Sequence, residues 1–192
     1  MADLPESEVL AGLVHAGGGA PESSPLETEV VGLFDQLRDP LLRYLLGFNG
    51  LVVQDCEEII QEAFLALFHH LQRGRSRRNL RGWLFRVVHN QGLKRIQRSH
   101  RDSQQRLRSA GHTEHTAVDP ALNPEDALTQ RETQRRLLAV LQALPELDRR
   151  CLALRAEGLR YREIAEVLDM SLGAVAKSLE RSLARIARVA ER

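Results

Sequence analysis

Tyr161-Arg162-Glu163-Ile164-Ala165-Glu166-Val167-Leu168 is followed by Asp169-Met170-Ser171 and then by Leu172-Gly173-Ala174-Val175. The first eight residues predict a short amphipathic helix, the next three a tight turn, and Ser171 a cap for the helix that follows. Ile164, Leu168 and Val175 supply a shared core, and small Ala165 permits a close helix crossing. The second helix carries Leu172, Val175, Leu179, Leu183 and Ile186 on its apolar face. Its exposed side offers Ala176, Lys177, Ser178, Glu180, Arg181 and Arg185. This is the spacing of a helix-turn-helix, whose second helix can place side chains in the major groove of a duplex. A plain α-hairpin has the same spacing.

Helical signals continue outward in both directions. Asn123-Pro124-Glu125 starts a helix over about 124–143, with Pro at its first position. Others follow at 146–157, 161–168 and 171–189, punctuated by Leu144-Pro145 and Gly158. Upstream, apolar residues recur at helical spacing from Leu26 to Phe48, and Pro40 should end or kink that helix near Asp39. A second helix is predicted from Asp55, as cap with Glu58 completing a capping box, to about Leu71. Arg73–Asn79 reads as a basic loop, and a third helix runs over about 80–99. Residues 100–123 lose the periodicity and gain Ser, His, Gly, Gln and Pro120, so they read as a linker. Fully extended, such a linker reaches roughly 80 Å. Residues 1–25, with Gly17-Gly18-Gly19, read as a mobile tail. Those glycines follow no strand and precede no Gly-Lys-Ser/Thr, so they do not form a phosphate loop. No strand pattern emerges. The expected fold is all-α, with a tail at 1–27 and small helical domains at 28–99 and 124–192 joined by a flexible linker at 100–123.

The chain has 192 residues, 27 basic and 26 acidic, for a net charge of +1. That neutrality hides three blocks. Residues 1–72 hold two basic and twelve acidic residues, 73–108 hold twelve basic and one acidic, and 109–192 hold thirteen of each. So strong a basic excess in so short a block points to a polyanion partner. Two distant cysteines, Cys56 and Cys151, cannot make a disulfide framework or a four-cysteine zinc site. No segment reaches the roughly 18 apolar residues of a membrane span. The start of the chain lacks the basic region of a signal peptide. A soluble cytoplasmic protein with reduced thiols is expected, with no membrane insertion.

Two further constellations stand out. Gln54-Asp55-Cys56-Glu57-Glu58-Ile59-Ile60-Gln61-Glu62-Ala63-Phe64 places Asp55, Glu58, Gln61, Glu62 and Leu65 on one helical face. Acids at a helix N-terminus also simply suit the dipole, but this face is suited to a basic partner helix. Leu80-Arg81-Gly82-Trp83-Leu84-Phe85-Arg86-Val87-Val88-His89-Asn90, then Lys94-Arg95-Ile96-Gln97-Arg98, interleaves cations with aromatics, as a single-stranded nucleic-acid surface does. Core packing explains Trp83 equally well. No HExxH, nucleophile elbow or dinucleotide fingerprint is present, so no enzyme, cofactor, metal or catalytic residue is assigned. His69-His70 and His112/His115 read as surface or linker histidines, and Cys56 as a small buried residue.

Taken in order, these motifs resemble the extracytoplasmic-function (ECF) sigma factors of bacterial RNA polymerase. The resemblance rests on Asp55–Phe64, on Gly82-Trp83-Leu84 with Asn90 and Arg98, on Leu141-Gln142-Ala143-Leu144-Pro145 with Arg149, and on Tyr161–Ala165 and Ser171–Val175. It covers about residues 28–99 (sigma region 2) and 125–189 (sigma region 4). It implies that the chain binds core RNA polymerase and directs promoter-specific initiation. Asp55, Glu57, Glu58, Gln61, Glu62 and Leu65 would dock on the β′ clamp helices. Arg75, Arg77, Arg78, Asn79, Arg81, Trp83, Arg86, Asn90, Lys94, Arg95 and Arg98 would recognise the −10 element and hold a flipped base. Arg160, Tyr161, Ser171, Gly173, Ala174, Lys177, Ser178, Arg181 and Arg185 would read the −35 duplex, in a domain that also touches the β flap. The resemblance further implies that an anti-sigma factor could be a partner. The chain departs from the family in having Ala174 for Thr, Ala176 and Ser178 for basic residues, Asp169 for Gly and Lys94 for Asp. The alternative is an autonomous helix-turn-helix regulator with 28–99 as a sensing or dimerisation domain. Such a regulator needs neither the acidic helix nor the Trp83/Asn90 helix.

Overall fold

A computed structural model describes residues 24–107 and 127–190, with side chains described for 24–101 and 135–189. Residues 1–23 of the expected tail, most of the linker, the Asn123-Pro124-Glu125 helix start and the His112/His115 pair lie outside the described residues. Among the described residues seven helices follow in chain order: α1 Pro25–Leu46, α2 Val53–Gln72, α3 Leu80–Leu107, α4 Ala127–Gln142, α5 Glu146–Ala156, α6 Tyr161–Leu168 and α7 Leu172–Ala190. Among the described residues there is no strand.

Helix α1 starts at Pro25, next to the first apolar residue of its pattern and inside the expected tail. Ser24 Oγ accepts the Glu27 N–H at 3.2 Å, the Glu27 carboxylate accepts the Ser24 N–H at 2.9 Å, and Pro25 takes the first turn. That reciprocal capping box satisfies two otherwise orphan donors. The helix then continues past Pro40 instead of ending at Asp39. Leu37 before the proline and Leu41, Tyr44 and Leu45 after it are all buried on one face. Their burial offsets the roughly 3 kcal/mol that an interior proline costs.

Helix α2 starts at Val53, two residues before the expected cap. Asp55 therefore sits inside the first turn and reaches back to the Val52 N–H at 3.4 Å. Its inner face is Cys56, Ile59, Ile60, Ala63, Phe64, Leu67 and Leu71. Asn79 caps α3 in left-handed backbone (φ 54°), its Oδ1 accepting the Gly82 N–H at 3.1 Å. Helix α3 continues to Leu107, eight residues past its expected end at Ser99. Residues 100–107 contain neither Gly nor Pro. The fading of apolar periodicity there did not mark the end of the helix.

Aromatic rings knit the first three helices. Phe34 meets Phe64 edge-on at 5.0 Å, and Tyr44 meets Phe85 edge-on at 5.6 Å. Within α5–α7, Cys151, Leu154, Leu159, Ile164, Val175 and Leu179 are fully buried. The two sets of helices touch, with α3 packing on α6 and α1 meeting α5. Arg43 donates to both Glu157 carboxylate oxygens at 2.9 and 2.8 Å. Arg150 stacks over the Phe48 ring at 4.7 Å, beside a cleft of about 300 Å³ lined by Tyr44, Leu141 and Ala153.

Candidate functional site

Three surfaces carry the candidate residues. The first is the outer face of α2. Gln61, Glu62 and Leu65 are exposed there, Leu65 by 62%. Asp55, Glu57 and Glu58 are half-buried, because each has an internal partner. Arg95 donates Nε to Asp55 at 2.8 Å and Nη2 to Glu58 at 2.7 Å. Arg38 donates to Glu57 at 2.9 Å, and Gln91 to Glu62 at 3.3 Å. The face thus brings together all six expected residues. It also adds three that spacing did not reveal: Arg38, Gln91 and Arg95 as partners of the acids.

The second surface is the Arg73–Asn79 loop with the outer face of α3. Arg86, Asn90, Lys94 and Arg98 are exposed at four-residue intervals and form one row. That spacing spans about 18 Å of helix. The inner side holds Leu84, Phe85, Val88 and His89 in the core. Trp83 is half-buried with its ring 5.0 Å from that of His70, so it is neither a free platform nor a full core residue. Arg75, Arg77, Arg78 and Arg81 are exposed around it. Arg77 pairs with Glu29, and Arg81 donates to the Glu157 carbonyl.

The third surface is the helix-turn-helix. Asp169 closes α6 in left-handed backbone (φ 53°), a conformation Asp tolerates better than most residues. Ser171 Oγ accepts the Ala174 N–H at 3.2 Å and so caps α7. Arg160 and Tyr161 are exposed at the start of α6, and Ser171, Gly173, Ala174 and Lys177 at the turn and the first turns of α7. The Arg155 guanidinium lies 5.7 Å from the Tyr161 ring centroid.

The buried stripe of α7 differs from the expected one. It runs through Val175, Ser178, Leu179 and Ser182, while Leu172 and Leu183 are more than half exposed. The helix is rotated by a polar anchor. Ser178, expected on the exposed side, is 2% exposed and donates its hydroxyl to Asp148 at 2.7 Å. Arg181 donates to the same carboxylate at 3.0 and 2.8 Å. These donors, Arg181 first, hold the Asp148 carboxyl below its ordinary range. Asp148 was missed because an acid in the first turn of α5 already has a reason to be there. Its signal was an acid three residues before buried Cys151, on the inner side of its helix.

Cys56 is fully buried, which pushes its thiol up to about 11. Among the described residues, no cluster of three or more His, Cys, Asp or Glu could hold a metal ion, and no helix is long and apolar enough to cross a membrane.

The sequence pattern described as sigma-70 region 2 matches residues 33–102, and that described as sigma-70, region 4 matches residues 134–186. The first spans the acidic and basic faces, and the second the helix-turn-helix, in one chain and in that order. The chain belongs to the ECF sigma factors. It is 32% identical over 131 residues to the probable RNA polymerase sigma factor RfaY of Xanthomonas campestris pv. campestris, covering 68% of this chain and 32% of that protein. This sigma factor therefore spans about a third of the length of that relative. It is 29% identical over 153 residues to the RNA polymerase sigma-H factor of Pseudomonas aeruginosa, covering 74% and 79%. It is 25% identical over 133 residues to the ECF RNA polymerase sigma-E factor of Escherichia coli K12, covering 67% and 70%. Two solved structures share its fold. One is the sigma factor RpoE in complex with the anti-sigma factor NepR from Bartonella quintana, with a TM-score of 0.58, 18% identity and coverage of 83% and 97%. The other is CnrH in complex with the cytosolic domain of CnrY, with a TM-score of 0.55, 22% identity and coverage of 88% and 92%.

Proposed function

We propose that this sigma factor binds core RNA polymerase through the outer face of α2 and directs it to promoters with two separated elements. The observation that carries the reading is the order of three exposed surfaces on one helical chain: the acidic α2 face, the basic α3 row and the helix-turn-helix. Gln61, Glu62 and Leu65, with Asp55, Glu57 and Glu58 beside them, dock on the basic clamp helices of β′. The row Arg86, Asn90, Lys94 and Arg98, with Arg75, Arg77, Arg78, Asn79, Arg81 and Trp83 at its head, takes the melted −10 strand. Cations hold its phosphates, and the energy so gained offsets the unstacking of a base, which costs a few kcal/mol. Helices α1–α3 form the working domain for core and the −10 element, and α4–α7 the working domain for the −35 element.

In the −35 reader, Ser171, Gly173, Ala174 and Lys177 enter the major groove, with Arg160 and Tyr161 beside the backbone. Arg181 and Arg185 stand further along α7. Ser178 is assigned to the Asp148 anchor and no longer to DNA. The β flap takes another side of this domain. The protein works in the cytoplasm without enzymatic activity of its own, and an anti-sigma factor is a natural regulator for it. An autonomous regulator would not need the exposed Leu65 within an acidic helix face.

Reversing charge at Asp55, Glu58 and Glu62 together tests the docking assignment. Core binding, measured by fluorescence anisotropy of the labelled chain, should weaken at least about tenfold while the helical signal is retained. Unchanged core affinity would refute it.

A further inference from the structure

The acidic face of α2 and the basic face of α3 meet along a seam, and Arg95 sits on it. Its guanidinium spans two carboxylates on successive turns, Asp55 at 2.8 Å through Nε and Glu58 at 2.7 Å through Nη2. None of the three side chains is buried: Arg95 is 38% exposed, Asp55 21% and Glu58 45%. Such half-exposed pairs form and break readily in water. Lys94 and Arg98 flank Arg95 along a shallow groove that Glu58, Glu62 and Gln91 also line. Arg95 therefore lies between the surface proposed for core polymerase and the row proposed for melted DNA, bonded to the acids of the first.

We propose that Arg95 is exchanged between these two surfaces and couples them. In the free chain it neutralises Asp55 and Glu58, and so withholds one cation from the DNA row and two carboxylates from a partner. When basic groups of a partner take those carboxylates, Arg95 turns to the row of Arg86, Asn90, Lys94 and Arg98 and adds a phosphate contact. Occupying either surface favours the other, because such coupling is reciprocal. Arg95 is a positioning residue in the first state and a phosphate ligand in the second. The inference rests on the proposed assignment of the two faces.

The test is a double-mutant cycle on the full chain without polymerase, with a labelled single-stranded DNA oligonucleotide as probe. D55N/E58Q removes both acceptors and mimics their capture by a partner. This variant should bind the oligonucleotide about 3- to 10-fold more tightly, with a salt slope steeper by about 0.7, the increment for one added phosphate contact on a single strand. With R95Q added, the gain over R95Q alone should fall below about 2-fold. An equal gain in both backgrounds would mean that only bulk negative charge was removed, and would overturn the exchange while leaving the face assignments intact. Absence of DNA binding by every variant would overturn the basic-face assignment itself. R95K, which keeps the charge but loses the fork that spans both acids, gives a second reading should R95Q not fold. It should bind DNA more tightly than the parent chain, and weaker or equal binding would count against the exchange.

Discussion

Ser178 and Asp148, thirty residues apart, are joined by a 2.7 Å hydrogen bond sealed from solvent. The bond fixes the rotation of α7 on α5 and so decides which residues of the recognition helix face outward. Arg181 completes the anchor by donating to both Asp148 oxygens. Asp148→Ala leaves the Ser178 hydroxyl buried without its acceptor, which costs about 1–3 kcal/mol. Chemical denaturation of the full chain should show this loss with an unchanged m-value. Duplex affinity should fall as well, because the exposed face of α7 is no longer held in place.

Lys177 and Arg181 should separate under mutation. Lys177 is exposed in the second turn of α7 and has no part in the Asp148 anchor. Lys177→Ala should lower −35 duplex affinity, reduce the salt slope by about 0.9 and leave the melting temperature unchanged. Arg181→Ala should lower both affinity and melting temperature, since Arg181 already serves Asp148. Filter binding across a salt series, with thermal melts in parallel, checks both outcomes.

Arg43 and Glu157 clasp the two helical sets in the compact chain. A promoter whose two elements lie more than one duplex turn apart requires those sets to separate. Glu157→Arg places like charge against Arg43 and should increase the radius of gyration measured by small-angle X-ray scattering. The helical content should stay the same. An unchanged radius would mean that the apolar seam alone holds the sets together.

His89 makes the fold sensitive to acid. Burial, and then the nearby charge of Arg150, lower it from the ordinary 6.5 to about 4. Tyr44 Oη lies 2.7 Å from its Nδ1, and the Phe48 ring meets the imidazole edge-on at 5.7 Å. The unfolded chain then binds a proton more readily than the folded one between those values. Stability is full above about pH 6.5 and falls as the pH drops toward 4, by up to about 3 kcal/mol. His89→Gln should flatten that part of the profile in melts taken from pH 7 to 4, whatever its effect on stability at neutral pH.

What the sequence made legible follows from where burial and backbone chemistry leave a local mark. The helix-turn-helix was readable because α6 and α7 are amphipathic and Asp169-Met170-Ser171 has the residues a turn and cap require. The apolar inner face of α2 was readable for the same reason. The continuation of α1 through Pro40 was not, because the burial that holds it there comes from α2 and α3. The end of α3 was misplaced because a helix needs no apolar period to continue, and residues 100–107 hold neither Gly nor Pro to stop it. Ser178 was placed on the wrong side because its partner, Asp148, lies in another helix. Likewise, the pairing of Arg95 with Asp55 and Glu58 joins residues about forty positions apart, which no local spacing displays.

Run-off transcription with purified core polymerase tests the central claim most directly. On a template carrying two separated promoter elements, the chain with core should give a transcript of defined length. Core alone and the chain alone should give none, and charge reversal at Asp55, Glu58 and Glu62 should abolish it. Tight duplex binding by the chain alone, with no core-dependent initiation, would contradict the account and favour an autonomous regulator.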